Sequence, residues 1–315
     1  MSEHPPFLSR VWPAGTMVVL TSPYMPDDGG HPRPEGACGV LLDVPEHPAG
    51  VYRVRFPDGG AYQVPAQSLQ VLKHYQAGEV GQSDIVAQSH DLYAHVIFKV
   101  MVGSRAYGLA SEGSDTDWRG IYLPPADLHW SIYGVPEQLE PADVDACYWE
   151  LGKFVRLALK ANPNVLECLY SPHVEVANEV AQDLLSIRQS FVSKMIYQTY
   201  NRYVMSQFKV MQRSRERGTG FRAKHAMHLI RLLLSGLSIL EHGQVPVLVQ
   251  EHKDALLRIK RGEMPWEEID AWRLKVHAQF DRAFEASSLP QKPDYQTINA
   301  FVVRARRWSA AQAYT

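Results

Sequence analysis

The stretch from His95 to Gly120 constrains this chain more than any other. An apolar run, His95-Val-Ile-Phe-Lys-Val-Met-Val102, ends at Gly103-Ser104, and the aspartates Asp115 and Asp117 follow about ten residues later. The run has the length and β-branched content of a buried strand. Gly-Ser then marks a turn, because glycine reaches backbone angles closed to other residues. Side chains at i and i+2 of a strand share one face. The pattern therefore predicts strand, turn, strand, with the Asp115 and Asp117 carboxylates side by side. Parallel carboxylates repel unless a cation lies between them, and a pair of Mg²⁺ ions supplies that charge. Gly103 lets backbone N–H groups approach an anion, and the Ser104 hydroxyl adds a donor. A phosphate holder beside a metal holder is the minimum equipment for moving a nucleotidyl group. Either half alone is common in solvated turns; the order and spacing of the two carry the reading.

A chain of 315 residues has room for two domains and a third small one, and its 45% hydrophobic content is that of a globular protein. No apolar run approaches the length of a membrane span. The opening Met-Ser-Glu-His-Pro-Pro lacks a charged-then-apolar leader. Cys38, Cys147 and Cys168 are odd in number and far apart, which suits a reducing cytoplasm and argues against disulfides or a zinc cluster. The expected location is cytoplasmic, with no membrane partner. The net charge of −2 hides an asymmetry: between Arg188 and Arg231 stand ten Lys or Arg and one acid, Glu216. Such a basic segment is the footprint of a surface that meets a polyanion.

The expected fold class is α+β and multidomain. Residues 1–80 read as a small N-terminal SH3-like β-barrel, a module for nucleic acid, protein or packing. Its short strands over 11–75 are broken by Pro and Gly, as at Pro57-Asp-Gly-Gly60. Residues 76–84 read as a linker. Residues 81–150 read as a minimal α/β catalytic domain, with a helix through Ile85–His95 and strands at 96–102, 116–123 and about 143–148. From Glu150 the apolar period becomes helical, so 151–315 reads as an all-helical domain for nucleotide and acceptor, with helices near 178–187, 190–212, 222–242, 250–261, 265–287 and 294–311.

Glu140, Asp143 and Asp145 are candidates for a third carboxylate, and spacing alone separates them poorly. Lys224, His228 and Arg231 fall at i, i+4 and i+7, one helix face, suited to a triphosphate or a nucleic-acid backbone as well as to plain solvation. His225 and His228 have metal spacing, but with no Cys or acid nearby a zinc site is rejected. Arg213-Ser-Arg215-Glu-Arg217-Gly218-Thr-Gly220-Phe-Arg222 reads as a basic loop able to close over a polynucleotide. Tyr197, Tyr200, Tyr203 and Phe208 interleave with Lys194, Arg202 and Lys209; cations beside base-stacking aromatics bind single strands, although aromatics at helical spacing more often fill cores. Asn162-Pro163 stops one helix and Asn164 can cap the next. Tyr107 and Trp118 either pack or touch a base.

Gly103-Ser-Arg-Ala-Tyr-Gly108 with Ser114-Asp-Thr-Asp-Trp-Arg-Gly120 resembles the signature of the DNA polymerase beta-like nucleotidyltransferase superfamily. It looks most like the predicted bacterial nucleotidyltransferases associated with RNA repair. Asp145–Asn164, Lys224–Leu233 and Arg258–Glu263 match as well, over roughly 95–300; the first eighty residues lie outside the likeness. The resemblance implies a polymerase-beta-type catalytic domain and a two-metal mechanism. Asp115, Asp117 and Asp145 would be the catalytic and metal-binding acids, Asp145 through an Asp-x₅-Leu-x-Lys pattern ending at Lys153. Gly103, Ser104, Arg105, Lys153, Lys224, His228 and Arg231 would bind the nucleotide. Lys209, Arg213, Arg215, Arg217 and Arg222 would bind nucleic acid. The cofactors would be two Mg²⁺ ions, with Mn²⁺ able to substitute. The substrates would be an NTP and an RNA 3′ end, tRNA among them. Transfer to a protein side chain or a small molecule, and a non-catalytic RNA-binding scaffold, are the alternatives.

Overall fold

The computed structural model describes residues 12–26, 31–43, 45, 50–79, 83–111, 113–218 and 220–312. They fall into two units, Met1–Ile85 with Ile132–Gly134, and Val86–Ser131 with Val135–Thr315.

The first unit holds five short strands, β1 (Met17–Leu20), β2 (Cys38–Leu41), β3 (Val51–Arg55), β4 (Ala61–Pro65) and β5 (Leu69–Val71), in the order β4-β3-β2-β1-β5. Alternation places Tyr52 and Val54 inside and Val51, Arg53 and Arg55 outside. The inner face packs Val18, Leu20, Leu41, Tyr52, Val54 and Phe56 into a small core. The turn read at Pro57–Gly60 joins β3 to β4, with Gly59 at φ +88°. The expected closed barrel is not found: the outer strands β4 and β5 do not pair among the described residues. Pro65 offers no N–H at the end of β4, and β5 spends its short ladder on β1. The expected linker is partly helical, since α1 spans Leu72–Glu79.

α2 (Ser83–Ser89), whose residues from Val86 on belong to the second unit, is followed by a separate 3₁₀ turn, Leu92–His95, rather than one helix to His95. The Asp91 side chain accepts from Tyr93 N at 3.1 Å and starts the new turn. Then come β6 (Val96–Val102), α3 (Gly103–Ala106), β7 (Asp117–Tyr122), α4 (Ala126–Trp130), β8 (Gln138–Leu139) and β9 (Ala146–Glu150). α5 (Leu151–Leu159), α6 (Pro163–Tyr170), β10 (Val174–Ala177) and α7 (Glu179–Ser186) follow. The chain ends in α8 (Met195–Glu216), α9 (Ala223–His242), α10 (Lys253–Lys260), α11 (Trp266–Ala286) and α12 (Tyr295–Gln312). The sheet order is β10-β6-β7-β9-β8, with β7 and β9 parallel and the other pairs antiparallel. Residue 150 is the junction of β9 and α5, and residues on both sides of it enter one core. That core runs from Phe98, Val100 and Ile121 in the sheet to Phe154, Leu166, Tyr200, Ile230 and Phe280 in the helices. No helix among the described residues is long and apolar enough to cross a membrane.

Candidate active site

The register of three strands builds the site. Val102, the last residue of β6, pairs with Asp117, the first of β7. In the parallel ladder Trp118 pairs with Ala146, so Asp145 lies beside Asp117 at the mouth of the sheet, and Trp118 N donates to Asp145 O at 2.8 Å. Alternation puts Asp117, Arg119 and Ile121 on one face, the face whose inner end is the main core. The two carboxyls come within hydrogen-bonding reach of each other. Burial, then the hydrogen bond and charge of Asp145, raise the Asp117 pKa above the ordinary carboxylate value. Asp145 moves the other way, held ionised first by Arg119, whose Nη1 donates to its Oδ1 at 2.9 Å. A close pair of acids that resists double ionisation is what a divalent cation would relieve. The pair therefore fits a metal.

Gly103 opens α3 with φ +74°. A methyl group there would overlap Asp117 Oδ2 and lie 3.0 Å from its Cγ. Only glycine fits, in conformation and in space, so the Gly103 turn packs closely against the Asp117 carboxylate. The Lys224 ammonium, in the first turn of α9, is close enough to stabilise ionised Asp117.

The other expected residues are distributed differently. Asp115 is exposed and lies just ahead of β7, which begins at Asp117. Among the described residues no three His, Cys, Asp or Glu converge as a metal cage. Arg105 folds back on its own loop, donating through Nε and Nη2 to Ser114 O at 3.1 and 2.7 Å. Lys153 pairs with Glu137 at 3.0 Å and reaches Gln138 at 3.2 Å. Arg231 is buried, not on a solvated stripe: it donates to Glu167 at 2.7 and 3.4 Å and lies over the Tyr107 ring at 3.7 Å. Tyr107 O–H donates to the same carboxylate at 2.6 Å. Glu167 escaped the sequence reading, although one acid inside Val165-Leu-Glu-Cys-Leu169 signals a buried charge in need of a partner.

The basic stretch is not all loop. Arg213 and Arg215 lie in the last turn of α8, Arg217 is its C-cap, and Arg222 is the N-cap residue of α9. Arg215 is engaged with Glu267 and the Trp266 ring. Arg202, Ser206, Lys209 and Arg213 follow one face of α8 at i, i+4, i+7 and i+11, all exposed. Of the interleaved aromatics, Tyr200 and Phe208 are core, while Tyr203 is 46% exposed. The stripe starts at a cavity of about 460 Å³, lined by Asn162, Asn164, Arg202, Tyr203, His225 and His228 among others. The His228 ring centroid lies 5.9 Å from that of Tyr107, and His228 is exposed at this cavity. Desolvation first, and the Arg231 cation second, push its pKa down to about 4.

Residues 78–304 match the model of the RNA repair pathway DNA polymerase beta family. Uncharacterized protein YcgL of Bacillus subtilis (strain 168) is 31% identical over 155 residues, 48% of this chain and 58% of that protein. Uncharacterized protein MJ0002 of Methanocaldococcus jannaschii is 27% identical over 154 residues, 47% of this chain and 61% of that one. The chain thus spans about three fifths of these relatives' length. A nucleotidyltransferase-like protein from Exiguobacterium sibiricum 255-15 aligns in structure over 72% of this chain and 79% of its own, with 10% identity and a TM-score of 0.27.

Proposed function

Because the chain belongs to the RNA repair pathway DNA polymerase beta family, we propose that it is a Mg²⁺-dependent nucleotidyltransferase that adds NMP from an NTP to an RNA 3′ end and releases pyrophosphate. The observation that carries this is the meeting of Asp117 and Asp145 against Gly103 at one sheet edge. These two carboxylates would hold divalent metal, which supplies charge for the attacking hydroxyl, the α-phosphate and the leaving group. Asp115, exposed just ahead of β7, would complete the set when substrate orders its turn. Mn²⁺ would substitute for Mg²⁺.

The triphosphate would lie between the Gly103–Ser104 turn and Lys224. Its nucleoside would enter the cavity of Asn162, Asn164, Tyr203 and His228, where amides can read a base edge and a ring can stack. His228, held neutral by its surroundings, would serve as a hydrogen-bonding group. Arg105, Lys153 and Arg231, each engaged with protein, would support the binding site from behind. The α8 face from Arg202 to Arg213, with Arg217 and Arg222 beyond it, would guide the acceptor backbone; its cations favour a polyanion such as RNA over a small acceptor.

The test is transfer of label. Purified protein, Mg²⁺ and each α-³²P-labelled NTP are mixed with total bacterial RNA, beside Asp117→Ala/Asp145→Ala. Label in RNA with the native protein alone is the expected result, and the labelled NTP gives the base preference. Label on protein instead of RNA would replace the acceptor; label that persists in the double variant would remove these acids from the chemistry.

A further inference from the structure

The end of α10 reaches back to the loop that joins α3 to β7. Lys260 is the last residue of α10; Arg261 caps the helix and Gly262 turns away at φ +74°. The base is fixed. Leu256 and Ile259, both 0% exposed, seat α10 in the main core, and Arg258 pairs with Glu268 of α11 at 3.7 Å. From this base the half-buried Lys260 gives Nζ to Leu109 O at 2.8 Å and to Ser111 Oγ at 3.4 Å, across 151 and 149 residues. An ammonium has three donors and no acceptor, so it can serve a carbonyl and a hydroxyl together.

Two routes lead on from these contacts. Leu109 is fully buried, and its N–H donates to Ser104 O at 2.8 Å. A buried carbonyl needs a donor, and Lys260 supplies a charged one, which makes the stronger bond. A single residue thus joins Lys260 to the Gly103–Ser104 turn. On the second route Ser111 N–H donates to Ser114 Oγ at 2.9 Å, and Ser114 N–H returns to Ser111 O at 3.0 Å. Arg105 grips Ser114 O from the other side, and Asp115 is the next residue. The segment ahead of α10 adds one more tie, Val249 N–H to Tyr107 O at 3.1 Å.

We propose that Lys260 is a positioning residue: acting through this loop, it sets the Asp115 carboxylate for metal and the Gly103–Ser104 turn for the triphosphate. The proposal rests on the reading of the sheet edge as a metal and triphosphate site. A ligand borne on a loop binds well only when its neighbours already hold it in place. Lys260 and Arg105 hold the two ends of the stretch that delivers Asp115.

The experiment uses the full chain and Mn²⁺ alone, with Lys260→Met, which keeps the stem and loses the donors, and Lys260→Arg, which keeps charged donors. Hydrogen exchange without metal should be at least about tenfold faster at the Leu109, Ser111 and Ser114 amides in Lys260→Met, and unchanged in α9 and α11. Unchanged exchange in the loop would overturn the proposal. By electron paramagnetic resonance Lys260→Met should hold Mn²⁺ about tenfold more weakly, and Lys260→Arg should recover most of the loss. Lys260→Met/Asp115→Asn should match Asp115→Asn within about twofold, because both changes act on one ligand. Losses that multiply in full would mean that Lys260 acts elsewhere. In the transfer assay kcat should fall about 10–100-fold with little change in KM for the NTP. Native Mn²⁺ affinity in Lys260→Met, beside weakened binding in Asp117→Asn, would overturn this proposal alone. Equal affinity in native protein and Asp117→Asn would overturn the metal reading and the proposal with it. If Lys260→Met lacks native circular dichroism, Ser114→Ala cuts the same route within the loop and should weaken Mn²⁺ to a similar extent.

Discussion

At the residue scale the site rests on positions that tolerate no exchange. Gly103 is the sharpest case. Alanine there must adopt a left-handed backbone and push Asp117 aside. Gly103→Ala should lower turnover on the order of 100-fold, the usual result of displacing a reacting group by about an ångström. Steady-state kinetics at saturating NTP would show it; unchanged kcat would mean that the Asp117 contact is not used. Arg231 makes a different prediction. Removing one partner of a buried ion pair strands the other, so Arg231→Met should cost about 3–5 kcal/mol in urea unfolding. Arg231→Met/Glu167→Leu should recover much of that loss, because no buried charge is then left alone. Additive destabilisation would contradict the pairing. The sequence carried half of this. Gly103 announced itself beside an apolar run and an Asp-x-Asp. The fate of Arg231 did not, because its partner Glu167 is 64 residues away and helical period alone put Arg231 on a face with Lys224. Asp115 lies two residues ahead of Asp117, where β7 starts, so strand alternation alone does not set its carboxylate beside that of Asp117.

At the element scale α8 matters most for the acceptor. Its exposed row Arg202, Lys209 and Arg213 runs from the cavity mouth toward the helix end, and Arg215 is tied to Glu267. Replacing all three row cations by alanine should lower the slope of log affinity against log salt by about 2 for single-stranded RNA, at roughly 0.7 per phosphate contact. Arg215→Ala should change it less than any one of the three. Filter binding across a salt series reads this, and an unchanged slope in the triple variant would remove α8 as the track. Three of the long helices were legible because their apolar period is regular: α9, α11 and α12 fall within a residue or so of the expected ranges, whereas α8, Met195–Glu216, lies four to five residues later than the expected 190–212. β10 was not, since Val174–Ala177 is an exposed edge strand with no inward apolar alternation. The barrel was over-read for a similar cause. Short strands and turns are visible locally, while closure depends on a β4–β5 pairing that no local pattern specifies.

At the scale of the whole molecule, the sheet and the helices of the second unit share one core, and the first unit has its own. Calorimetry should therefore resolve two unfolding steps, the smaller one reported by Trp12, which stacks on Tyr52. A single step seen by every probe would mean that the two cores melt together. In the larger unit, β6, β7 and β9 bring Gly103, Asp117 and Asp145 to one edge, and α9 brings Lys224 toward them. The central claim is that this edge is a metal and triphosphate site. Its most direct measurement is Mn²⁺ binding by electron paramagnetic resonance, with a non-hydrolysable NTP analogue present. The native protein should hold Mn²⁺ at least roughly tenfold more tightly than Asp117→Asn or Asp145→Asn. Equal Mn²⁺ affinity in all three proteins would contradict the account.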